Sequence, residues 1–281
     1  YRMEKDPRNY LYKLYVKFLK KFKPDIFVFE NVIGLLSAGN GNLWKDVQKH
    51  FTKAGYEIDL GLLNAHDFGV LQNRKRVIVV GWRSELKLRY PEFSGDKNIE
   101  KYRVSDLLYD LPAIQPGEKM YVGEYASEPT EYLLKYGIRT EEDILTLHIS
   151  RNHNERDRKI YEFYIKKWMN EKRRPKYDEL PEELKTHRNR EVFKDRFKVV
   201  APDLPWSQTI VAHISKDGHY YIHPDINQLR SISVREAARL QSFPDNYYFE
   251  GPMTSMFRQI GNAVPPLMSE EIAMKIRKMI E

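Results

Sequence analysis

A chain of 281 residues with 41% hydrophobic and 31% charged residues is long enough to bury a full core and has the composition of a globular protein in water. It contains no cysteine, which excludes disulfides, thiolate metal sites and cysteine nucleophiles within its own residues, and no apolar run reaches the length of a membrane span or follows the basic start as a signal peptide would. The formal charge of +7 is concentrated, because between Arg151 and Val200 there are 16 Lys and Arg against 10 Asp and Glu.

That local basic excess points to a polyanion partner. No membrane association is expected, and a cytoplasmic location follows by default. The chain begins at Tyr1 rather than Met, as a trimmed chain or the second piece of something larger would.

Asp6-Pro7-Arg8-Asn9 reads as a turn into a helix, after which Leu11, Leu14, Tyr15, Phe18, Leu19 and Phe22 recur at helical spacing and predict a core-facing stripe. Lys23-Pro24 ends that helix. Ile26-Phe27-Val28-Phe29 shows no alternation, which predicts a strand covered on both faces of a parallel sheet. Glu30 and Asn31 follow at its carboxyl end, the edge where open α/β sheets bind ligands. Gly34 to Asn42 reads as a loop, and Leu43, Trp44, Val47 and Phe51 form the next apolar face, stopped by Gly55. A second strand is predicted from Tyr56 to Leu63, then a loop from Asn64 to Asn73. A third strand, Val77 to Val80, is closed by Gly81 and needs neighbours on each side. Strand, helix and strand again is a βαβ pattern.

Beyond Arg83 the texture changes, and the stretch to about Leu204 reads as an inserted lobe without a sustained period. His148, His153 and His187 lie in it without ligand spacing, so no metal site is predicted. Order returns near Trp206. Thr209-Ile210-Val211 and Tyr220-Tyr221-Ile222 flank Lys216-Asp217-Gly218 as a hairpin signal. Ser233-Val234-Arg235-Glu236 is a capping box before a helix that Pro244 ends. Ile272, Ile276, Met279 and Ile280 mark one face of a final helix. The expected divisions are residues 1–83, 84–204 and 205–281.

Four separated stretches, ENV at Glu30 to Val32, QNRKR at Gln72 to Arg76, REAARLQSFPD at Arg235 to Asp245 and QIGNAVPP at Gln259 to Pro266, together resemble the cytosine-C5 DNA methyltransferases. The resemblance implies an α/β fold: a Rossmann-like, S-adenosylmethionine-dependent methyltransferase core, incomplete in this chain, with 84–204 as the inserted lobe that reads the target sequence in double-stranded DNA. The family is understood to add a thiolate at C6 of a cytosine flipped out of the helix, so that C5 takes the methyl group. By resemblance, Glu30 acts at N3 as a general acid, and Arg76 holds O2 through fixed donors, with Arg74 beside it. Asn262 and Val264 belong to the cofactor-side turn, where Gly261 gives the bend its freedom. Arg173, Arg174, Arg188, Arg190 and Arg235 are candidates for contact with nucleic acid. A competing reading makes Glu30 only an ion-pair partner of Arg74 or Arg76, and has Arg235 and Arg239 bracing the junction between core and lobe.

The family's Pro-Cys nucleophile segment and Gly-rich cofactor loop are not found in these residues. An N-terminal portion, in the same protein or in a second subunit, is therefore expected to complete the sheet and supply the thiolate, in a prokaryotic restriction or genome-marking setting. Two alternatives stand beside this reading: a non-catalytic DNA-binding or regulatory subunit, and an RNA cytosine-C5 methyltransferase.

Overall fold

The computed structural model describes residues 10–185 and 193–281. The predicted turn at Asp6-Pro7-Arg8-Asn9, together with His187, Arg188 and Arg190, lies outside the described residues. The chain packs as two units. One comprises the described residues up to Ala65, Lys75–Ser94 and Glu271–Glu281, and the other His66–Arg74 and Gly95–Glu270.

In the first unit, α1 (Tyr12–Phe22), β1 (Ile26–Val32), the short helix α2 (Gly34–Ser37), α3 (Asn42–Thr52), β2 (Tyr56–Asn64) and β3 (Lys75–Arg83) follow in order. The sheet order is β1-β3-β2. The third strand has the two neighbours its sequence requires, and Val77, Ile78, Val79 and Val80 are fully buried. Its direction corrects the expectation of a parallel sheet around the first strand, because β3 runs antiparallel to both β1 and β2. The double cover expected for β1 is also not seen: Phe27 is buried whereas Val28 and Val32 are each 37% exposed. Phe27 and Phe29 pack on Phe51 of α3, with ring centroids at 4.8 and 5.4 Å, and the opposite face carries Val28, Glu30 and Val32. Gly81 pairs with Phe27 across the ladder, where a Cβ would overlap the Phe27 ring. Phe27 thus lies over its neighbour strand.

The stripe predicted for α1 is turned. Tyr12, Val16 and Leu19 are buried, while Leu11, Leu14, Phe18 and Phe22 are 51–65% exposed. Tyr12 fixes the choice: its hydroxyl donates to Asp46 and its ring meets His50 edge-on at 5.6 Å. A helix with apolar residues on two faces does not announce which one it buries.

In the second unit, β4 (Lys119–Gly123), α4 (Glu131–Lys135), β5 (Leu145–Ile149), α5 (Glu155–Glu171), α6 (Val234–Leu240) and α7 (Met253–Asn262) follow in order, and α8 (Pro266–Ile280) starts there and continues into the first. Strands β4 and β5 form an antiparallel pair. One apolar cluster takes residues from Leu71, from Ile99 to Ile149 and from Val200 to Ile260, so the residues on either side of Leu204 share a core. The sequence reading missed α5. Asn154 caps it by accepting from Asp157 N at 2.8 Å, and Ile160, Tyr161, Tyr164, Ile165 and Trp168 are its buried residues.

The predicted hairpin at Thr209–Ile222 does not form. Ala212–Ser215 is a 3-10 turn. The Tyr221 hydroxyl donates to Thr209 O at 2.8 Å and accepts from Val211 N at 3.2 Å, taking backbone groups that a ladder would pair. Ile222 bridges Val199 and Ser231 instead.

Every residue of α6 is buried, including Arg235, Glu236 and Arg239. Arg239 lies between two carboxylates. It donates to Asp245 at 2.5 and 2.9 Å, to both oxygens of Asp110 and to Leu107 O at 2.8 Å. Burial alone would lower the Arg239 pKa and raise that of Asp245, but the pairing outweighs it in both, so both are held ionised. The capping box is present, with Ser233 Oγ accepting from Glu236 N at 3.1 Å and the Glu236 carboxylate accepting from Ser233 N at 2.6 Å. Glu236 also takes a forked pair of hydrogen bonds from Arg230, each 2.7 Å.

Buried histidines add to this polar interior. His153 Nε2 accepts from Ser231 N at 3.2 Å, and Tyr161 OH lies 2.7 Å from His219 Nδ1. Burial pushes His153 from an ordinary 6.5 down to about 3. It does the same to His223, with the charge of Arg230 adding to it.

Arg239→Met leaves two carboxylates buried without their cation, and the urea midpoint should fall by the equivalent of about 3–5 kcal/mol; a midpoint close to wild type would mean that the carboxylates find other partners. The depressed histidines give an acid dependence of definite sign. The unfolded chain takes up their protons below 6.5 and the folded one only near 3, so their contribution is complete above 6.5 and is lost as pH falls through that window. The slope is at most about 1.4 kcal/mol per pH unit per histidine. Urea midpoints that stay constant from pH 7 to pH 4 would contradict it.

Candidate active site

Glu30 and Arg76 meet through the register of β1 on β3. Glu30 stands opposite Ile78 and Val32 opposite Arg76, so the two charged side chains are diagonal neighbours on one face of the sheet. Arg76 Nε lies 2.7 Å from Glu30 Oε1, with side-chain exposures of 10% and 27%. Burial depresses the Arg76 pKa, and the Glu30 carboxylate opposes that depression by charge and hydrogen bond. The result is a carboxylate and a guanidinium held at a fixed separation on a partly open face. Asn31 serves the backbone here: its Oδ1 accepts from Val32 N at 2.9 Å.

Arg74 has a different place from the one expected beside Arg76. It is buried and donates to Ile210 O at 2.6 Å, Ala263 O at 2.8 Å and Gly261 O at 3.3 Å. Its guanidinium braces backbone, which corrects the expectation of a place beside Arg76 at the base. Arg235 needs the same correction. It is fully buried, and its donors go to Thr146 O and Oγ1, Pro244 O and Tyr247 O at 2.7–3.2 Å, so it braces the interior and presents nothing to a phosphate. Arg173 is exposed and paired with Glu171 and Glu179, each at 2.6 Å. Arg174 lies over the Trp168 ring at 5.3 Å and donates to Val199 O and Gln208 Oε1 at 3.3 and 3.2 Å.

The remaining motif residues surround the end of α7. Gly261 approaches the backbone at Val211 and Ala212 so closely that a Cβ would overlap it. Asn262 is exposed and Val264 half-buried. Gln72 and Gln241 are both fully buried and join this region, as does Asp110 the Arg239 cluster. Sequence reasoning missed all three in these roles. The signal available for the glutamines was their place inside two of the four motifs, QNRKR and REAARLQSFPD, whose polar sequences do not show which residues are buried. Asp110, in a stretch with no period, offered none.

The family model of C-5 cytosine-specific DNA methylases matches residues 1–278. The chain belongs to that family. Like other members it has relatives among the type II methyltransferases. It is 44% identical to M.Bpa9945I of Bacillus paralicheniformis, over 98% of this chain and 65% of that protein. It is 31% identical to M.DdeI of Desulfomicrobium norvegicum, over 98% of this chain and 68% of that protein. The chain therefore spans about two-thirds of the length of these curated relatives. In fold it is similar to a protein encoded within an E. coli prophage, with a TM-score of 0.67 at 23% identity, covering 98% of this chain and 75% of that one. It is also similar to the Entamoeba histolytica methyltransferase EhMeth, with a TM-score of 0.55 at 15% identity over 98% of this chain and 70% of that one. The architecture is the α/β, Rossmann-like methyltransferase fold.

The close backbone approach at Gly261 sets two effects against each other. Replacing a helical glycine by alanine ordinarily gains about 1 kcal/mol, but here the new methyl group meets main-chain atoms that cannot swing aside. Gly261→Ala should lower the melting temperature; a variant at least as stable as wild type would show that the helix end can withdraw.

Proposed function

We propose that this chain is the part of a DNA (cytosine-5)-methyltransferase that holds the flipped cytosine and carries the sequence-reading lobe. The observation that carries the reading is the Glu30–Arg76 pair at 2.7 Å. Cytosine displays N3 and O2 side by side, an acceptor edge that a guanidinium matches at O2 and that Glu30 matches at N3 once its carboxylate has taken up a proton from solvent as the base binds. When a nucleophile adds at C6, electron density moves towards N3, and a proton from Glu30 at that atom neutralises it as general acid catalysis requires. Arg76 retains its charge at working pH and holds O2 with donors in a fixed plane. Its Nε also keeps the Glu30 carboxyl in place, so the two groups act as one pre-arranged edge.

S-adenosylmethionine, when bound, supplies the methyl group that C5 receives. On this chain, Asn262 and Val264 are the residues we assign to it. The fit is favourable, because the carbonyls of Gly261 and Ala263 are taken up by Arg74 while Asn262 is exposed. The thiolate is proposed to come from outside these 281 residues, which contain no cysteine, either from another segment of the same protein or from a second subunit. The names of the type II relatives support a restriction-modification role, with double-stranded DNA as substrate and the prokaryotic cytoplasm as the setting. Among the described residues no helix is long and apolar enough to cross a membrane. Contact with DNA phosphates is assigned to Arg173 among the described arginines, with Arg188 and Arg190 kept as candidates.

Glu30→Gln in the complete enzyme tests the reading. Labelled methyl transfer to duplex DNA should fall by about 10²- to 10⁴-fold, with DNA binding little changed. Undiminished transfer removes Glu30 from catalysis, and transfer to folded RNA in preference to DNA at matched salt replaces the substrate class.

A further inference from the structure

The backbone at the end of α7 is held from behind by side chains of two other motifs. Gln241 Nε2 donates to Ile260 O at 2.6 Å and to Ala263 O at 3.4 Å. Its Oε1 accepts from Gln72 Nε2 at 3.0 Å. Gln72 is fixed in turn, donating to Leu240 O at 2.7 Å and accepting from Ile210 N at 3.0 Å. The last carbonyls of a helix have no partners within it, and buried acceptors left unpaired are costly. Ile260 O takes the Ala263 N–H at 3.3 Å and Ala263 O takes Arg74 at 2.8 Å; to these, one planar amide offering two donors and an acceptor adds a further donor for each carbonyl. Glutamate lacks the donors, leucine and methionine lack both functions, and asparagine is one carbon short. With the carbonyls of Ile260 and Ala263 drawn inward, the intervening Asn262 is the residue left exposed, and Val264 stays half-buried.

We propose that Gln241 is a positioning residue for the cofactor: through the carbonyls of Ile260 and Ala263 it fixes the backbone from which Asn262 and Val264 meet S-adenosylmethionine. The inference rests on the reading of this turn as the cofactor side. Gln241 is fully buried and its side chain bonds to Gln72 and backbone, so its removal is expected to change how well the turn is presented and to leave the Glu30–Arg76 pair intact. Gln72 sets the orientation of the amide, because a donor pointed at Oε1 leaves Nε2 facing the two carbonyls.

The test uses the complete enzyme with Gln241→Glu, which keeps the shape and the acceptor but removes both donors, and with Gln241→Met. The KM for S-adenosylmethionine should rise roughly three- to tenfold, the effect of losing a hydrogen bond from acceptors that each keep one other donor. The KM for DNA, and kcat at saturating cofactor, should stay near wild type. A folded variant with an unchanged cofactor KM, or with both KM values raised alike, overturns the proposal. Hydrogen exchange on the unmodified enzyme decides the matter if both variants fail to fold. The Ala263 amide, which donates to Gln259 O at 3.1 Å, should exchange as slowly as amides of α6, and exchange at loop rates overturns the assignment. Absence of methyl transfer by the wild-type enzyme would instead bring down the underlying functional reading.

Discussion

A fully buried guanidinium between two carboxylates is the constraint on which the second unit depends. Arg239 cannot lose its charge and cannot reach water, so Asp245, six residues on, and Asp110, 129 residues earlier, must both come to it. Each carboxylate is engaged again. Tyr125 donates to Asp245 at 2.8 Å, and Arg139, whose guanidinium lies 3.4 Å above the Tyr125 ring, donates to Asp110 at 2.6 Å. The stretch from Val104 to Arg139 and the return through α6 are thus tied by groups whose separation would strand charge in an apolar interior. That is a stronger demand for unique geometry than apolar contact alone, since a hydrophobic core tolerates sliding and a forked ion pair does not.

The two arginines of QNRKR show how closely spaced residues of one type divide their tasks. Arg76, on the central strand, is itself nearly buried and keeps as its partner a carboxylate on the more open strand β1. Arg74 is enclosed by main-chain carbonyls. Burial lowers the Arg76 pKa and Glu30 offsets it, so this charge persists where a ligand would need it. A side chain whose donors are already engaged with backbone has little left to offer a base. The difference lies in what each guanidinium reaches, and residue type carries no trace of it.

Much of this was legible where local chemistry dictates structure. The unbroken apolar run of Val77 to Val80 belongs to a central strand, the Ser233 to Glu236 spacing is a working cap, and Val47 and Phe51 mark the buried face of α3. The motifs also placed Glu30 and Arg76 in one site, which the register then brought together. What could not be read depends on partners far away in the chain. Strand direction depends on how β3 is inserted between β1 and β2. The buried face of α1 depends on Tyr12 finding Asp46. For Arg235 both contact with DNA and internal bracing were open, because nothing nearby in sequence reveals that Thr146 will supply its acceptors. The segment Thr209 to Ile222 carried genuine hairpin chemistry and lost to a tyrosine hydroxyl that claimed the same backbone groups.

The bracing of α7 has a consequence for how such a chain is made. Gln72 finds Gln241 across 169 residues, and Arg74 finds Ala263 across 189. At ribosomal speeds of about 5–20 residues per second, these early side chains wait roughly 10–40 s for their acceptors to be synthesised. Until then they stay hydrated, although the Arg239 cluster, complete at Asp245, can already close. Closure of the second unit by these contacts waits until the segment around Ala263 has been made. A ribosome that stalls before Ala263 leaves behind a chain with these polar groups still exposed to water.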